Sequence, residues 1–202
     1  MGINKTFLRW CACVLLAAVP LAASAGTQNS TSAGVVHVRI TNFGKINDNY
    51  FRGAQPEDRD YRDLAALGVR TVIDLTSGGR ANEQRLVEQA GMKFHRIPLT
   101  TSERPSDAAV VQFLKLVNDP ASQPVYVHCQ GGRHRTGVMT AVYRMTKDGW
   151  NAERAYQEMK QYRFEGFPGH PALKKFVYDY YSLMDRSPIV DAGRAVKAAA
   201  VN

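Results

Sequence analysis

The segment at positions 128–137 combines the side chains needed to attack a phosphoryl group. It reads HCQGGRHRTG, and five residues separate Cys129 from Arg135. Cysteine attacks only as its thiolate, and a helix N-terminus or nearby cations lower the thiol pKa from about 8.5 to roughly 3.5–7.5. Arginine offers a planar fork of N–H donors that fits two phosphoryl oxygens. The pair therefore predicts nucleophilic attack on phosphorus, with a guanidinium stabilising the charge.

The other residues of the segment predict how the anion is held. Gly131 and Gly132 let the backbone turn tightly and approach an anion closely. Successive N–H groups at the start of the next helix form an anion-binding nest. The Thr136 hydroxyl donates to the sulfur, which eases its departure when the thiophosphate is hydrolysed. The predicted substrate-binding residues are Gln130, Gly131, Gly132, Arg133, His134 and Thr136.

An ordinary structural explanation competes with this chemistry. Cys129 could be a buried structural cysteine beside a surface arginine. The fixed positions of the motif are His, Cys, Gly, Arg, Ser or Thr, and Gly. By chance these six would coincide in on the order of one chain in a hundred thousand or fewer. No cluster of His, Asp or Glu has convincing metal-ligand spacing, so we expect no metal and no other cofactor.

Predicted strands and helices alternate along the chain and position the segment 128–137. Periodicity predicts strands at 36–40, 46–52, 69–75, 93–97 and 125–128, and helices at 57–67, 82–90, 106–118, after the loop from about 135, 152–162 and 171–184. This order predicts an α/β fold with a central, mostly parallel sheet of about five strands flanked by helices. Such sheets bind ligands beyond the carboxyl ends of their strands, where this loop begins.

The segment resembles the cysteine-x5-arginine loop of the protein tyrosine phosphatase superfamily. The compact dual-specificity branch, with its atypical plant and fungal members and their bacterial relatives, is the most similar, because Arg133 and His134 precede Arg135. Weaker similarity extends over YFRGAQP at 50–56 and GVRTVIDL at 68–75. The resemblance covers about residues 46–184 and implies the cysteine-phosphatase fold. It also implies that Cys129 is the nucleophile and Arg135 the phosphate clamp.

The sequence departs from this family at the general acid. The family protonates the leaving oxygen with an aspartate on a loop that corresponds here to residues 98–107. Only Glu103 and Asp107 are acidic there. Asp107 follows Ser106, a natural N-cap, and suits the positive end of a helix dipole, so Glu103 is the preferred candidate. The alternative is that no acid is present, which would cost about 10²–10⁴ in rate and favour phosphoanhydrides and aryl phosphates.

Other polar residues receive structural interpretations. We expect His128 to orient the loop through hydrogen bonds and Asp74 to pair near a strand end. His170 lies between Gly169 and Pro171 and is interpreted as a turn residue. Arg52, Arg96 and Arg104 could add positive charge near the mouth of the site, but the favoured interpretation is that they are surface residues, because lone arginines are mostly exposed.

The N-terminus predicts export. Residues 1–25 hold an early positive region, an apolar stretch at 10–21 and Ala-Ser-Ala at 23–25. That stretch is too short to span a bilayer, so we expect a signal peptide, periplasmic or secreted localisation, and no stable membrane insertion after cleavage. An uncleaved anchor is the alternative. Cleavage leaves Cys129 as the single cysteine, unable to form an internal disulfide.

The chain length limits the number of domains, and the net charge limits the kinds of partner that the protein binds. The 202 residues, 45% of them hydrophobic, suit one globular domain. We expect a leader and first strand at 26–45, the phosphatase-like domain at 46–184 and a flexible tail at 185–202. The net charge of +8 favours anionic partners, here a phosphorylated protein or a small phosphorylated molecule. No run of Lys and Arg is long enough for a nucleic-acid arm.

Several functions remain open from the sequence. The main prediction is a phosphomonoesterase for phosphotyrosine, and also for phosphoserine or phosphothreonine. A phosphatase for inositol phosphates or pyrophosphates is the alternative, suggested by Arg133 and His134. A catalytically inactive phosphate-binding module is a third hypothesis, although it would not need a thiolate. A rhodanese-like sulfur transferase is disfavoured, because it has less use for Arg135.

Overall fold

The computed structural model describes residues 38–165 and 169–184, which belong to one compact unit, Val35–Asn202. The predicted signal peptide, most of the predicted leader and the predicted tail lie outside these described residues. Among the helices within them, none combines the length and apolar character needed to cross a membrane.

A five-stranded sheet forms the centre of the described fold. Its strands are β1 (Gly44–Asn47), β2 (Tyr50–Ala54), β3 (Thr71–Thr76), β4 (Lys93–Leu99) and β5 (Val125–Cys129). They lie in the order β1-β2-β5-β3-β4, and only β1 is antiparallel to its neighbour. The prediction of a mostly parallel sheet of about five strands is confirmed.

The N-terminal edge of the sheet differs from the sequence prediction in two ways. The single strand predicted at 46–52 is wrong, because β1 and β2 form a hairpin. An Asx turn closes it, in which Asn49 N–H donates to Asn47 Oδ1 at 2.9 Å. The strand predicted at 36–40 is also not observed over its described part, 38–40. Ile40 is nevertheless buried in the core, so the folded domain begins before the predicted boundary at residue 46.

Six helices occur in the described ranges and lie close to their predicted bounds. They are α1 (Asp60–Ala66), α2 (Glu83–Gln89), α3 (Asp107–Asn118), α4 (His134–Asp148), α5 (Ala152–Gln161) and α6 (Pro171–Leu183). Local chemistry fixes their ends. The Ser106 side chain accepts from Ala109 N–H at 3.2 Å at the start of α3, and Gly149 ends α4 with a φ of 70°.

The sheet is buried on both faces, which explains its apolar strands. Val72 and Tyr126 pack on one face with residues of α1 and α2. Ile73, Val127 and Cys129 pack on the other face with residues of α3 to α6. In the parallel ladders Ala54 pairs with Cys129 and Asp74 with His128, so the carboxyl ends of β2, β3 and β5 meet at one edge. The loop after Cys129 lies at this edge.

Candidate active site

The loop between β5 and α4 packs directly against the end of β2. Gly132 has a φ of 62°, and a Cβ at this position would collide with the backbone of Gly53 and Ala54. This position therefore requires glycine for both conformation and space. Gly131, for which the sequence predicted the same role, has no positive φ, and a Cβ there would lie 3.6 Å from the nearest atom, Arg133 Cγ. Only one of the two glycines is thus required by the fold.

Three neighbouring segments hold the carbonyl groups of the loop. Asn42 Nδ2 donates to the Gly131 carbonyl at 3.2 Å, and Gln55 N–H donates to the Gln130 carbonyl at 3.2 Å. Arg52 Nη2 donates to the Gly132 carbonyl. These hydrogen bonds anchor the loop to Asn42 ahead of β1, to Arg52 in β2 and to Gln55 directly after β2. None of these donors was assigned this role from the sequence.

Arg52 lies beneath the loop and not on the surface. Its side chain is 0% exposed, and its guanidinium carbon lies 3.9 Å from the centroid of the Tyr162 ring. Burial lowers the pKa of Arg52, while Tyr50, Tyr162, Glu158 and, least of the four, Cys129 oppose that change. The interpretation of Arg52 as a surface residue is therefore wrong. A sequence pattern could not reveal it, because a strand buried on both faces leaves no polar face for comparison.

The environment of Cys129 favours its thiolate despite burial. The residue is only 2% exposed, and burial alone would raise the pKa of its thiol. The Thr136 hydroxyl and N–H, the Arg135 charge and the Arg133 N–H outweigh burial, so the pKa lies below its ordinary value of 9.0. The buried Thr136 hydroxyl oxygen has no other hydrogen-bond partner among the described residues.

A cavity of about 360 Å³ opens over the sulfur. Arg135 forms part of its wall, and its Nη1 donates to the Leu99 carbonyl at the end of β4 at 3.3 Å. The buried Nε of Arg135 has no partner among the described residues and is available to an anion. The residues lining the cavity are Thr101, Cys129, Gln130, Gly131, Arg133, His134, Arg135 and His170. The structure therefore brings most of the predicted loop residues around one space, with Gly132 and Thr136 packed behind it.

His134 contributes a neutral ring to this cavity. Burial, followed by the charges of His170, Arg133 and Arg135, lowers the pKa of His134 to about 4. Its ring centroid lies 5.7 Å from that of Phe164 and 3.8 Å from that of His170. The sequence had suggested that His134 adds positive charge, but at neutral pH the ring is uncharged.

The two predicted candidates for the general acid do not line the cavity. Glu103 is exposed, and its N–H donates to Thr100 Oγ1 at 3.2 Å. Asp107 begins α3 and lies 3.5 Å from Arg104 Nη2, in agreement with its interpretation as a helix-start residue. The loop that carries Glu103 reaches the cavity through Thr101, whose carbonyl oxygen lies 3.2 Å from Nδ1 of His170. His170 was interpreted as a turn residue and is instead part of the cavity wall.

A buried charged cluster supports the strand that carries Cys129. His128 Nε2 lies 2.9 Å from Glu83 Oε1, and both side chains are 0% exposed. Burial alone would raise the pKa of Glu83, but His128, Gln55 and Tyr61 outweigh it, so the pKa lies below the ordinary 4.5. The sequence anticipated that His128 is anchored, but it gave no sign that Glu83 is the partner.

Asp74 belongs to the same cluster and has the structural role that was predicted. Its carboxylate accepts from the Thr76 N–H and hydroxyl, each at 2.8 Å, and from Arg96 Nε at 2.7 Å. Asp74, Glu83 and His128 could geometrically surround a metal ion. The Arg96 guanidinium already balances the carboxylates there, so the arrangement suits a structural ion cluster.

A second cavity of about 460 Å³ adjoins the first. Gln130 and Arg135 line both cavities and so form a shared wall. The loop from Thr76 to Arg80 forms the opposite side, and Arg80 there is paired with Asp58 at 2.6 Å. A ligand larger than one phosphoryl group could extend from the sulfur into this space.

Curated proteins with related sequences are phosphatases. A probable tyrosine-protein phosphatase of Dictyostelium discoideum, DG1060, is 26% identical over 131 residues, which are 62% of this chain and 78% of that protein. Inositol diphosphatase DSP2 of Oryza sativa is 28% identical over 64% of this chain and 66% of that protein. Dual specificity protein phosphatase TpbA of Pseudomonas aeruginosa is 29% identical over 69% of this chain and 62% of that protein.

Solved structures share the fold. The core catalytic domain of the PP-IP phosphatase SIW14 from S. cerevisiae has a TM-score of 0.62 at 17% identity, covering 77% of this chain and 94% of that one. The structure of P. aeruginosa TpbA has a TM-score of 0.62 at 23% identity, covering 78% and 91%. Residues 36–173 match the family model described as DSP-PTPase phosphatase fused to NAD+ kinase. The chain therefore belongs to this family, and it is a cysteine-dependent phosphatase of the compact dual-specificity branch.

Proposed function

We propose that this protein hydrolyses phosphomonoesters, phosphotyrosine foremost and also phosphoserine or phosphothreonine, through a phosphocysteine formed on Cys129. The observation that carries the proposal is the sulfur itself. It lies at a cavity of about 360 Å³, its pKa is lowered by Thr136 and Arg135, and Arg135 keeps an unpaired buried donor. A thiolate and a guanidinium at one cavity suit an incoming phosphoryl group.

The proposed reaction has two steps. The Cys129 thiolate attacks phosphorus, the bond from phosphorus to the ester oxygen breaks, and that oxygen takes up a proton. Arg135 binds two phosphoryl oxygens and the N–H groups of the loop bind the anion, which stabilises charge as it develops. Water then attacks the thiophosphate, and the Thr136 hydroxyl stabilises the departing thiolate. No metal takes part in this scheme.

Phosphotyrosine is favoured by the space above the sulfur and by one relative. The cavity is bounded by aromatic rings, since His134 and His170 lie 3.8 Å apart in its wall. A TpbA variant has been solved in complex with pTyr. A protein carrying a phosphorylated tyrosine is therefore the proposed partner, and nucleic acid is not.

An inositol diphosphate is the second candidate substrate. The adjoining cavity of about 460 Å³ shares Gln130 and Arg135 with the first and could accept a further phosphate. Two relatives are named as inositol diphosphatases, DSP2 of Oryza sativa and SIW14 of Saccharomyces cerevisiae. The neutral state of His134 removes part of the positive charge that first suggested this class.

One assay tests the nucleophile and separates the substrates. The purified chain is incubated without metal, with EDTA, against an aryl phosphate, a phosphotyrosine peptide and an inositol diphosphate, and released phosphate is measured. We expect turnover by the wild type and none by Cys129→Ser, which keeps a similar shape without the thiolate. The higher kcat/KM among the peptide and the inositol diphosphate identifies the substrate class. Phosphate release by Cys129→Ser at the wild-type rate would disprove the nucleophile assignment.

We also propose that the protein is exported and works in the periplasm or outside the cell. Support comes from residues 1–25, with Lys5 and Arg9 before an apolar stretch and a small-x-small site at 23–25. Expression in a bacterium followed by fractionation and N-terminal sequencing tests this. A periplasmic or secreted product that begins at Gly26 is expected. A product that keeps its first residues in the membrane fraction would support the uncleaved anchor.

A further inference from the structure

Among the described residues at the start of α6, His170 is the one that lines the wall of the catalytic cavity. It lies at the N-cap of α6, far along the chain from the loop that holds Cys129. Its Nδ1 lies 3.2 Å from the Thr101 carbonyl oxygen. A carbonyl oxygen only accepts, so Nδ1 carries a hydrogen and Nε2 is the remaining nitrogen for chemistry. The contact also ties α6 to the loop on which this fold carries its acid.

No carboxylate occurs among the residues that line this cavity in the described chain. Glu103 and Asp107 are exposed, and Asp107 is engaged by Arg104. The leaving oxygen still needs a proton unless the leaving group is very acidic. Among the described residues of the cavity wall, the imidazoles of His134 and His170 are the acid–base side chains besides Cys129.

The surroundings of the two rings decide which of them carries the proton. With their centroids 3.8 Å apart, the rings do not both become charged readily. Burial and neighbouring cations lower the pKa of His134 to about 4, so it stays neutral. His170 holds its ring through Nδ1 at the Thr101 carbonyl, and it also lines an adjoining cavity together with Glu165 and Lys174.

We propose that His170 is the general acid of this phosphatase, in place of the loop carboxylate. The inference rests on the proposed phosphocysteine reaction. As the Cys129 thiolate bonds to phosphorus and the ester bond breaks, the imidazolium gives the proton on Nε2 to the leaving oxygen. Neutral His170 then takes a proton from the attacking water as the sulfur–phosphorus bond breaks. The thiolate and the imidazolium are both restored, so atoms and charges balance over the cycle.

The test compares how strongly the rate depends on the leaving group. The wild type, His170→Gln and His170→Asn are assayed with phenyl, nitrophenyl and dinitrophenyl phosphate. His95→Gln on β4 and Glu103→Gln are the matched controls. Inhibition by inorganic phosphate and the melting temperature are measured for each variant, which shows that the cavity remains formed.

We expect His170→Gln to lower kcat/KM, which reports the phosphoryl transfer and not the later hydrolysis of the thiophosphate, about 10²- to 10³-fold for phenyl phosphate, but less than about tenfold for dinitrophenyl phosphate. The controls should keep the shallow dependence of the wild type. Equal losses on all three esters in both His170 variants would overturn the inference, because losing a structural or binding role lowers the rate by the same factor for every leaving group. No loss in either variant would also overturn it. A steep dependence in Glu103→Gln would instead identify the carboxylate. If the wild type released no phosphate from any ester, the proposed reaction itself would fail.

Discussion

At the scale of single residues, the site depends on a balance at one sulfur atom. Cys129 is almost completely buried, which opposes ionisation, yet its pKa is lowered by a hydroxyl, two N–H groups and one guanidinium. Each donor belongs to the loop or to the first turn of α4. The anionic state is therefore a property of this loop conformation, and removing one donor should change the ionisation of the sulfur without changing the fold.

Thr136→Val tests the contribution of the hydroxyl. Valine has nearly the same shape but cannot donate, so the pKa of Cys129 should rise and alkylation of the sulfur should begin at higher pH. A hydrogen bond to a charged group is worth about 1.5–3 kcal/mol, so activity at neutral pH should fall about tenfold to a hundredfold. The pH dependence of iodoacetamide labelling is measured by mass spectrometry on the Cys129 peptide. Thr146→Val in α4 is the control, and an unchanged labelling profile in Thr136→Val would contradict the prediction.

Gly132→Ala tests the contact between the loop and β2. A Cβ at Gly132 would collide with the backbone of Gly53 and Ala54, and the φ of 62° also disfavours alanine. The loop must shift, so kcat/KM should fall at least about a hundredfold, since small displacements of reacting groups cost about that much. Gly131→Ala has room for its methyl group and should lose far less. Similar activity in the two variants would show that the close contact does not matter.

At the scale of helices and strands, the sequence predicted the parts that depend on local chemistry. The six helices and strands β3, β4 and β5 follow from periodicity, glycine stops and the Ser106 cap. The hairpin of β1 and β2 was missed, although the polar run Asn-Asp-Asn at 47–49 is a turn signal, and the Asx turn at Asn47 separates the two strands. Cys129 and Arg135 were found because their spacing is itself the signal. Glu83 and Arg52 were missed, because contacts between distant segments leave no pattern in a single sequence.

Glu83→Gln tests the buried cluster through pH. The pKa of folded Glu83 lies below 4.5, so its carboxylate stabilises the fold above that value, and the stabilisation is lost as pH falls through the folded pKa. The variant should be less stable by about 1–3 kcal/mol near neutral pH. Its unfolding free energy should fall less steeply below about pH 4.5 than that of the wild type. Denaturant unfolding across this range measures both effects, with the exposed Glu88→Gln as control. Parallel curves for wild type and Glu83→Gln would rule out this linkage.

At the scale of the whole molecule, the positive net charge acts on substrates before they bind: it is +8 for the full sequence and +6 (24 basic minus 18 acidic residues) once residues 1–25, with Lys5 and Arg9, are removed. A positive surface attracts anions over about a Debye length, which is roughly 10 Å at 0.1 M salt. Phosphorylated partners with acidic flanking residues should therefore arrive faster than those with basic ones. Binding within the cavity, by contrast, is screened much less.

Varying the salt concentration tests this steering. For an acidic phosphotyrosine peptide, kcat/KM should fall about threefold or more between low salt and 0.3 M salt, because screening slows association. A basic peptide with the same phosphotyrosine should show a flat or opposite trend, and kcat should change little for either. The same salt slope for both peptides would mean that the net charge does not guide the substrate.

The side chains of β5 alternate between the two faces of the sheet, and this limits how the length of the strand can change. Val125, Val127 and Cys129 face one side of the sheet, and Tyr126 faces the other. Inserting or deleting one residue within β5 would therefore send the sulfur to the α1 and α2 side, behind the sheet and away from Arg135. Apolar substitutions at Val125 and Val127 would leave the direction of the sulfur unchanged, whereas a change of length would not. A survey of natural variants should find changes of length in the segments that flank the strand and none within it.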